Sequence, residues 1–576
     1  MKLNSHRYLA GFTLLILGIA APVYSAVELL GVEGAERDNV LALLRLDDEP
    51  CDAPRRVMEQ AFGRVETDIQ AALEAFGYYD SAVTQSLRFE SDCWEATIQV
   101  TLAEPVILRS VSLELTGDAE QDRAFAAFLQ NPRLRSGQRL VHGDYEALKS
   151  VLSTLALERG YPDAQFAAGR IDVYPEEHAA DIELRFDSGD RYRFGPILLD
   201  QSVLNDSLIY RYFEFSEGDF YDSRLLAESR LELVNSGYFD AVNVVPGMPQ
   251  PESRVIPVSV VLRPSSRTQI SYGIGLSTDT GARFRFGRNI RRFNPAGHQL
   301  SVNGLLSPVV TEASANYRMP YGDPRSEWIS FDVGGKRENT DTSTSRSLQL
   351  GARRVLERDT GWIRTDSLNY LVEDFDVSTQ SGRSRLLIPG LQWSRLRADD
   401  AIRPRNGSKL TFELRGAADS VISDTSFFQL VAEGKWIWTL GRSSRFLVRG
   451  KAGRIWENSF LNLPPSVRFF AGGDNSVRGF DFETIGPVNE IGEVIGGSRL
   501  ITSSIEIEKQ LKPLWSIALF ADAGDAFISA SPNFSSSVGI GARWRSPLGP
   551  IRVDIAKPQT GIERDVRLHI SLGPDL

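Results

Sequence analysis

Ile270-Ser271-Tyr272-Gly273-Ile274-Gly275-Leu276 alternates apolar residues with small or polar ones. Successive side chains of an extended chain point to opposite faces, so this stretch is a strand with one apolar and one polar face. The pattern continues to the C-terminus. Phe284 and Phe286 alternate with Arg283 and Arg285, and Leu410, Phe412 and Leu414 with Thr411, Glu413 and Arg415. Val553 and Ile555 alternate with Arg552 and Asp554, and Val566, Leu568, Ile570 and Leu572 with Arg567, His569 and Ser571. No long helical run and no continuous apolar stretch of about 20 residues interrupts residues 265–576.

Two architectures give such alternation. A soluble sandwich turns the apolar face inward, whereas a transmembrane barrel turns it outward to lipid and keeps a polar lumen. The segments are about ten residues long and tile the whole region, and their polar positions carry many charges on several strands. Both features favour the barrel. Counting segments gives about 16 strands, an even number as in single-chain bacterial barrels. Both ends of the barrel chain then lie on the periplasmic side.

One connection breaks the rhythm. Residues 458–497 are rich in Gly, Pro and aromatics, and contain Phe469-Phe470-Ala471-Gly472-Gly473-Asp474-Asn475-Ser476-Val477-Arg478-Gly479-Phe480. A long loop with apolar residues and an arginine is expected to fold back into the lumen.

The first half of the chain is a different material. Ala71-Ala72-Leu73-Glu74-Ala75-Phe76-Gly77-Tyr78-Tyr79-Asp80 returns as Leu155-Ala156-Leu157-Glu158-Arg159-Gly160-Tyr161-Pro162-Asp163-Ala164. It returns again as Leu231-Glu232-Leu233-Val234-Asn235-Ser236-Gly237-Tyr238-Phe239-Asp240-Ala241. Each copy is a helix stopped by Gly, then an aromatic, then an extended segment; Gly suits the left-handed position past a helix end. The interval of roughly 80 residues predicts three α+β modules, at 26–104, 105–187 and 188–264. The expected order in each is βααββ, a short sheet covered by two helices. Its open edges could pair with an incoming extended chain, or the modules could be spacers.

Residues 1–25 read as a cleaved signal peptide. Lys2 and Arg7 precede an apolar run, and Val23-Tyr24-Ser25 offers small residues before Ala26. Export places the two cysteines, Cys51 and Cys93, in an oxidising compartment, and a disulfide between them is expected. The formal net charge of −11 is the opposite of a nucleic-acid binder. No nucleophile motif, phosphate loop or metal-ligand spacing occurs, so no enzyme activity, metal or cofactor is expected.

Three βααββ modules, a 16-strand barrel and a Val477-Arg478-Gly479-Phe480 loop together resemble the Omp85 superfamily. The modules resemble POTRA domains. The tetrapeptide resembles the signature of the family's sixth outer loop, and Phe520-Ala521-Asp522-Ala523-Gly524 its Phe-x-Asp-x-Gly strand element. Ile517, Leu519 and Ala521 alternate as lipid-facing, so Phe520 and Asp522 point inward, where Arg478 would meet a carboxylate. Three modules in a chain of this length resemble the TamA branch. That resemblance implies an insertion factor for outer-membrane proteins such as autotransporters. It also implies an inner-membrane-anchored TamB-like periplasmic partner, contact with outer-membrane lipid, and no nucleic acid. The barrel would open at a lateral seam between its first strand, around Tyr272, Gly273 and Gly275, and its last, around Leu568, Ile570 and Gly573. Glycine weakens a strand, and Pro574 cannot donate to a ladder. A two-partner secretion pore and a phospholipid-transport bridge are the alternative readings.

Overall fold

The computed structural model describes residues 26–44, 46, 49–51, 53–90, 93–130, 134–400, 404–546, 549–561 and 565–572. The signal-peptide reading at 1–25 lies outside them. The chain divides into two compact units, with the division passing through the third module.

The first module runs β1 (Ala26–Leu30), α1 (Gly34–Leu44), α2 (Arg55–Phe62), α3 (Val65–Glu74), β2 (Ala82–Glu90) and β3 (Cys93–Thr101). It therefore has one helix more than the expected βααββ. The extra helix, α2, comes just after Cys51, which is disulfide-bonded to Cys93 at the start of β3, with the Cα atoms 4.5 Å apart. Trp94 is buried beside the bond and its indole N–H donates to Pro50 O at 3.0 Å. The second module is β4 (Ile107–Thr116), α4 (Arg123–Leu129), α5 (His142–Arg159), β5 (Gln165–Tyr174) and β6 (Ala179–Asp187). The third is β7 (Arg193–Asp200), α6 (Asp206–Ile209), α7 (Ser223–Asn235), β8 (Phe239–Pro246) and β9 (Val255–Pro264). In all three sheets the closing strand lies in the middle: β1-β3-β2, β4-β6-β5 and β7-β9-β8. β5 and β8 each carry a bulge just after their first aromatic, at Phe166/Ala168 and Phe239/Ala241. Bulges of this kind bend an edge strand away from uncontrolled pairing.

The Gly-aromatic repeat turns out to be the joint between each module and the next stretch of chain. Gly77 O accepts from Val106 N at 2.8 Å, and Gly160 O accepts from Tyr192 N at 2.7 Å. In the third copy Tyr238 O accepts from Ser265 N at 3.0 Å. Gly77 and Gly160 both sit at φ 86°, a region that penalises any side chain. Space forbids one as well: a Cβ on Gly77 would stand 2.6 Å from Leu140 O, and one on Gly160 2.8 Å from Tyr221 Cβ. At the second joint Asp122 caps α4 by accepting from Ala124 N and receives both Nε and Nη2 of Arg159 at 3.1 Å. The other Arg159 nitrogen reaches Asp222 at 2.6 Å.

Sixteen strands, from β10 (Thr268–Ser277) to β25 (Arg567–Leu572), close in sequential order into an antiparallel barrel. The apolar positions face outward: Tyr272 is 70% and Ile274 77% exposed, and Leu350, Leu368, Ile505, Leu519 and Ile540 are exposed on other strands. Aromatic pairs mark both rims. Trp515 stacks on Trp544 at 5.9 Å at the inner rim, and Phe428 lies 5.7 Å from Trp456 at the outer one. These match the interfacial girdles of transmembrane barrels. The lumen is polar, with a cavity of about 530 Å³ lined by Asn316, Asp332, Lys336, Gln349, Arg353 and Asn369 among others.

The part of the third module that belongs to the barrel's unit docks on the inner turns. Tyr238 OH donates to Gly297 O, in the turn between β11 (Gly281–Ile290) and β12 (Gln299–Leu306), and Asn205 N donates to Pro295 O. Arg325, in the next inner turn, pairs with Glu214.

Candidate functional site: the loop anchor and the barrel seam

The long loop connects β20 (Ser444–Glu457) to β21 (Arg499–Lys512). Its apolar residues Leu463, Val467, Phe469, Ala471, Val477 and Ile485 are buried against Leu371, Leu386, Ile388, Phe427, Ile455, Leu500 and Ala526. The loop therefore forms a small apolar core with the upper wall of the barrel, which holds its tip in place. A second loop arginine, Arg468, is also buried. It donates to the carbonyls of Leu463 and Ile495 and to Gln380 Oε1, which ties loop backbone to the wall. The sequence pattern gives no sign of it.

Arg478 is only 4% exposed. Its Nε and Nη2 donate to the two oxygens of Asp522 at 2.7 and 2.9 Å, a bidentate fork. Nη1 donates to Glu506 at 2.8 Å and Asp554 at 3.0 Å, and Nη2 also to Ser504 Oγ at 3.2 Å. All five guanidinium N–H groups thus have an acceptor. The backbone N–H of Arg478 adds a further bond to Asp522 at 3.0 Å. The guanidinium carbon lies 3.4 Å over the Phe520 ring. The structure therefore places both expected partners, Phe520 and Asp522, on Arg478.

The alternation of β22 (Trp515–Phe527) aims Ser516, Ala518, Phe520 and Asp522 inward while Trp515, Ile517 and Leu519 face outward. Gly524 of the same strand leaves room for Val477, whose Cγ2 would stand 2.8 Å from an added Cβ. Gly539 likewise accommodates the Phe520 ring.

Sequence reasoning missed the rest of the charge cluster. Arg543 donates to Glu506 and Asp554, Arg445 pairs with Glu508, and Arg449 with Asp522. Four arginines and four carboxylates thus meet in a largely buried site, where an unpaired charge would be costly. Charged inward positions recur on most strands, so only the register of β20, β21, β22, β23 (Ser535–Ser546) and β24 (Gly549–Pro558) selects these.

The seam is unlike its neighbours. β10 and β11 share ten register pairs, whereas β10 and β25 share one among the described residues, Ser277 with Ser571. Among the described residues that pairing sits at the outer end of β10. Leu568 lies past the outer end of β10, while Tyr272, Gly273 and Gly275 lie beyond the last described residue of β25. Gly573 is outside the described residues. Thr278 N donates to Ile570 O at 3.1 Å, so the bonded part sits at the outer rim. Gly275 also leaves room for a neighbouring side chain. A Cβ there would stand 2.7 Å from Arg283 Nε, and Arg283 reaches past it to Leu572 O at 3.2 Å.

The sequence matches the Omp85 superfamily domain over residues 280–575 and the POTRA domain TamA domain 1 over residues 26–102. It is 24% identical over 454 residues to the outer membrane protein assembly factor BamA of Nitratidesulfovibrio vulgaris, covering 73% of this chain and 56% of that protein. The chain thus spans little more than half the length of that relative. Against BamA of Neisseria meningitidis serogroup B it is 21% identical over 586 residues, 88% of this chain and 72% of the other. The crystal structure of BamA from Haemophilus ducreyi lacking POTRA domains 1–3 superposes with a TM-score of 0.68 at 16% identity, covering 80% of this chain and 99% of that one; the likeness is one of fold. By its matched Omp85 domain, its sixteen-stranded closed barrel and the POTRA domain matched at its N-terminus, the chain belongs to the Omp85 superfamily, an outer-membrane barrel with its N-terminal modules in the periplasm.

Proposed function

We propose that this chain is a TamA-like insertion factor. It promotes the insertion or secretion of outer-membrane proteins such as autotransporters through its lateral seam, working with an inner-membrane-anchored TamB-like partner. The observation that carries the reading is the seam. The barrel's other neighbouring strands are zipped over many residues, while the first and last share a single register pair among those described. A ladder bond contributes about 0.5–1.5 kcal/mol net, so a junction short of several opens far more readily than its neighbours. Opening exposes two strand edges inside the membrane, where an unpaired edge is costly, and a client strand that pairs with them satisfies both. The match of residues 26–102 to a TamA-type POTRA domain supports the branch.

The test is reconstitution. A urea-unfolded autotransporter barrel is added to lipid vesicles carrying this chain, with and without a TamB-like partner. Folding, read as heat-resistant compact migration on a gel, is expected to run faster than in empty vesicles. No acceleration in either arm contradicts the proposal.

A further inference from the structure

We infer that Asp474, on the inserted loop, is a latch that holds the seam shut, so that opening is coupled to the seating of the loop. The inference rests on the insertion reading above and adds its regulation.

The latch is built from side chains of three segments. The Asp474 carboxylate accepts from Ser277 Oγ at 2.8 Å and from Thr278 Oγ1 at 2.7 Å, both at the outer end of β10. The same carboxylate receives His569 Nδ1 of β25 at 2.7 Å. Thr278 Oγ1 in turn accepts from Ile570 N at 3.2 Å, so one hydroxyl joins the loop to both strands. The partners fix the proton positions. The backbone N–H of Gly479 donates to His569 Nε2 at 2.8 Å, which leaves Nε2 as the acceptor and Nδ1 as the nitrogen carrying hydrogen toward Asp474. Asp474 and His569 are both buried, which strengthens bonds to the carboxylate.

The loop backbone adds links on both sides of its tip. Asp474 N donates to the Asp279 carboxylate, in the turn just after β10, at 2.9 and 3.1 Å, and Arg449 of β20 donates to Asp474 O at 3.1 Å and Ser476 O at 3.2 Å. Arg478, four residues on, is fixed in its carboxylate nest. The loop tip therefore bears on the seam at one end and on β21, β22 and β24 at the other. Among the described residues, where the first and last strands share one register pair, these side chains add further links between the two strands. A loop that leaves its seat withdraws a partner from both sides at once, and a seam that opens pulls Ser277 and His569 off the same carboxylate.

The test reads the seam without any client. Nitroxides are placed on Ile274 of β10 and Ile555 of β24, both exposed on the outer face and outside the latch. Pulsed electron resonance on the full chain in lipid nanodiscs gives the distance distribution. Asp474→Ala and His569→Ala should each raise the long-distance population about tenfold, as expected for losing a charge-assisted bond. The double variant should do no more than either single one, since both act on one link. Asp474→Asn, which keeps shape and can still accept from His569, should lie between parent and Asp474→Ala. Heat-modifiable gel migration verifies that each barrel is folded, and should Asp474→Ala not fold, Asp474→Asn and His569→Ala carry the test. A distribution identical to the parent's in folded variants, or additive effects of the two substitutions, overturns the latch. The two readings fail separately. An unchanged seam with normal client insertion overturns the latch alone. A widened seam in a chain that inserts no client supports the latch and overturns the insertion reading.

Discussion

At the scale of the residue, Arg478 has five donors and five acceptors, and it shares its carboxylates with Arg543 and Arg449. Removing it leaves Asp522, Glu506 and Asp554 crowded with fewer cations. Breaking a buried pair in this way costs about 3–5 kcal/mol. Arg478→Ala should therefore make the loop open to protease in an otherwise folded barrel, and Arg478→Lys should do so partly, because an ammonium cannot copy the bidentate fork. In a double-mutant cycle read by loop proteolysis, Arg478→Ala and Asp522→Ala should show coupling of about 1–3 kcal/mol; additive effects would contradict the pairing. Strand alternation alone placed Asp522 and Phe520 inward, because side-chain period is a local property. Glu506, Asp554, Arg543 and His569 were not legible, because what brings them to the loop is strand register and loop path. Those are set by hydrogen bonds between segments 90 residues apart or more, as between Gly479 and His569.

At the scale of the element, the Gly-aromatic repeat was legible as a helix stop but not as a joint. A stop is written in one segment, whereas a joint needs a second segment as well. The second joint should respond to acid. Burial pushes the Asp122 carboxyl up, but the Arg159 hydrogen bond, the Ala124 N–H and the charges of Arg159 and Arg191 outweigh it and hold the carboxyl below its ordinary range. Asp222 is held low in the same way, against burial, by Arg224 and Arg159. A depressed carboxylate contributes stability that is complete above its unfolded pKa, about 3.9, and lost as pH falls through the folded value. Amide-exchange protection at the end of α5 should thus hold from neutrality to about pH 4 and decline below it. Asp122→Asn should lose about 1–3 kcal/mol of that protection at neutral pH and part of its acid dependence. An unchanged acid profile would contradict the ionic joint.

In module one the pattern gave two helices where three form, because the 42-residue span closed by Cys51 and Cys93 holds the extra helix α2, only eight residues long. Thiol labelling of exported, denatured protein without reductant should find neither cysteine free. Reduction should destabilise the module by about 3–4 kcal/mol. Full labelling before reduction would contradict the bond.

At the scale of the whole molecule, the division into modules and barrel was legible because a helical repeat and a period of two are each sustained over hundreds of residues. The strand number came from segment length. The seam was legible only as a place where the first and last strands must meet. Its register was not, since no turn connects them; among the described residues it is given by Ser277 with Ser571 at the rim. We propose that a barrel whose first and last strands share one register pair among the described residues, with a loop bearing on both strands, opens sideways. The most direct measurement is a reversible lock. Ser277→Cys and Ser571→Cys are combined, oxidised, and assayed for client assembly before and after reduction, beside parent protein treated identically so that the Cys51–Cys93 bond is controlled for. The account expects the locked barrel to lose client assembly and regain it on reduction, with the parent active throughout. A fully crosslinked barrel that assembles clients at the parent rate would contradict it.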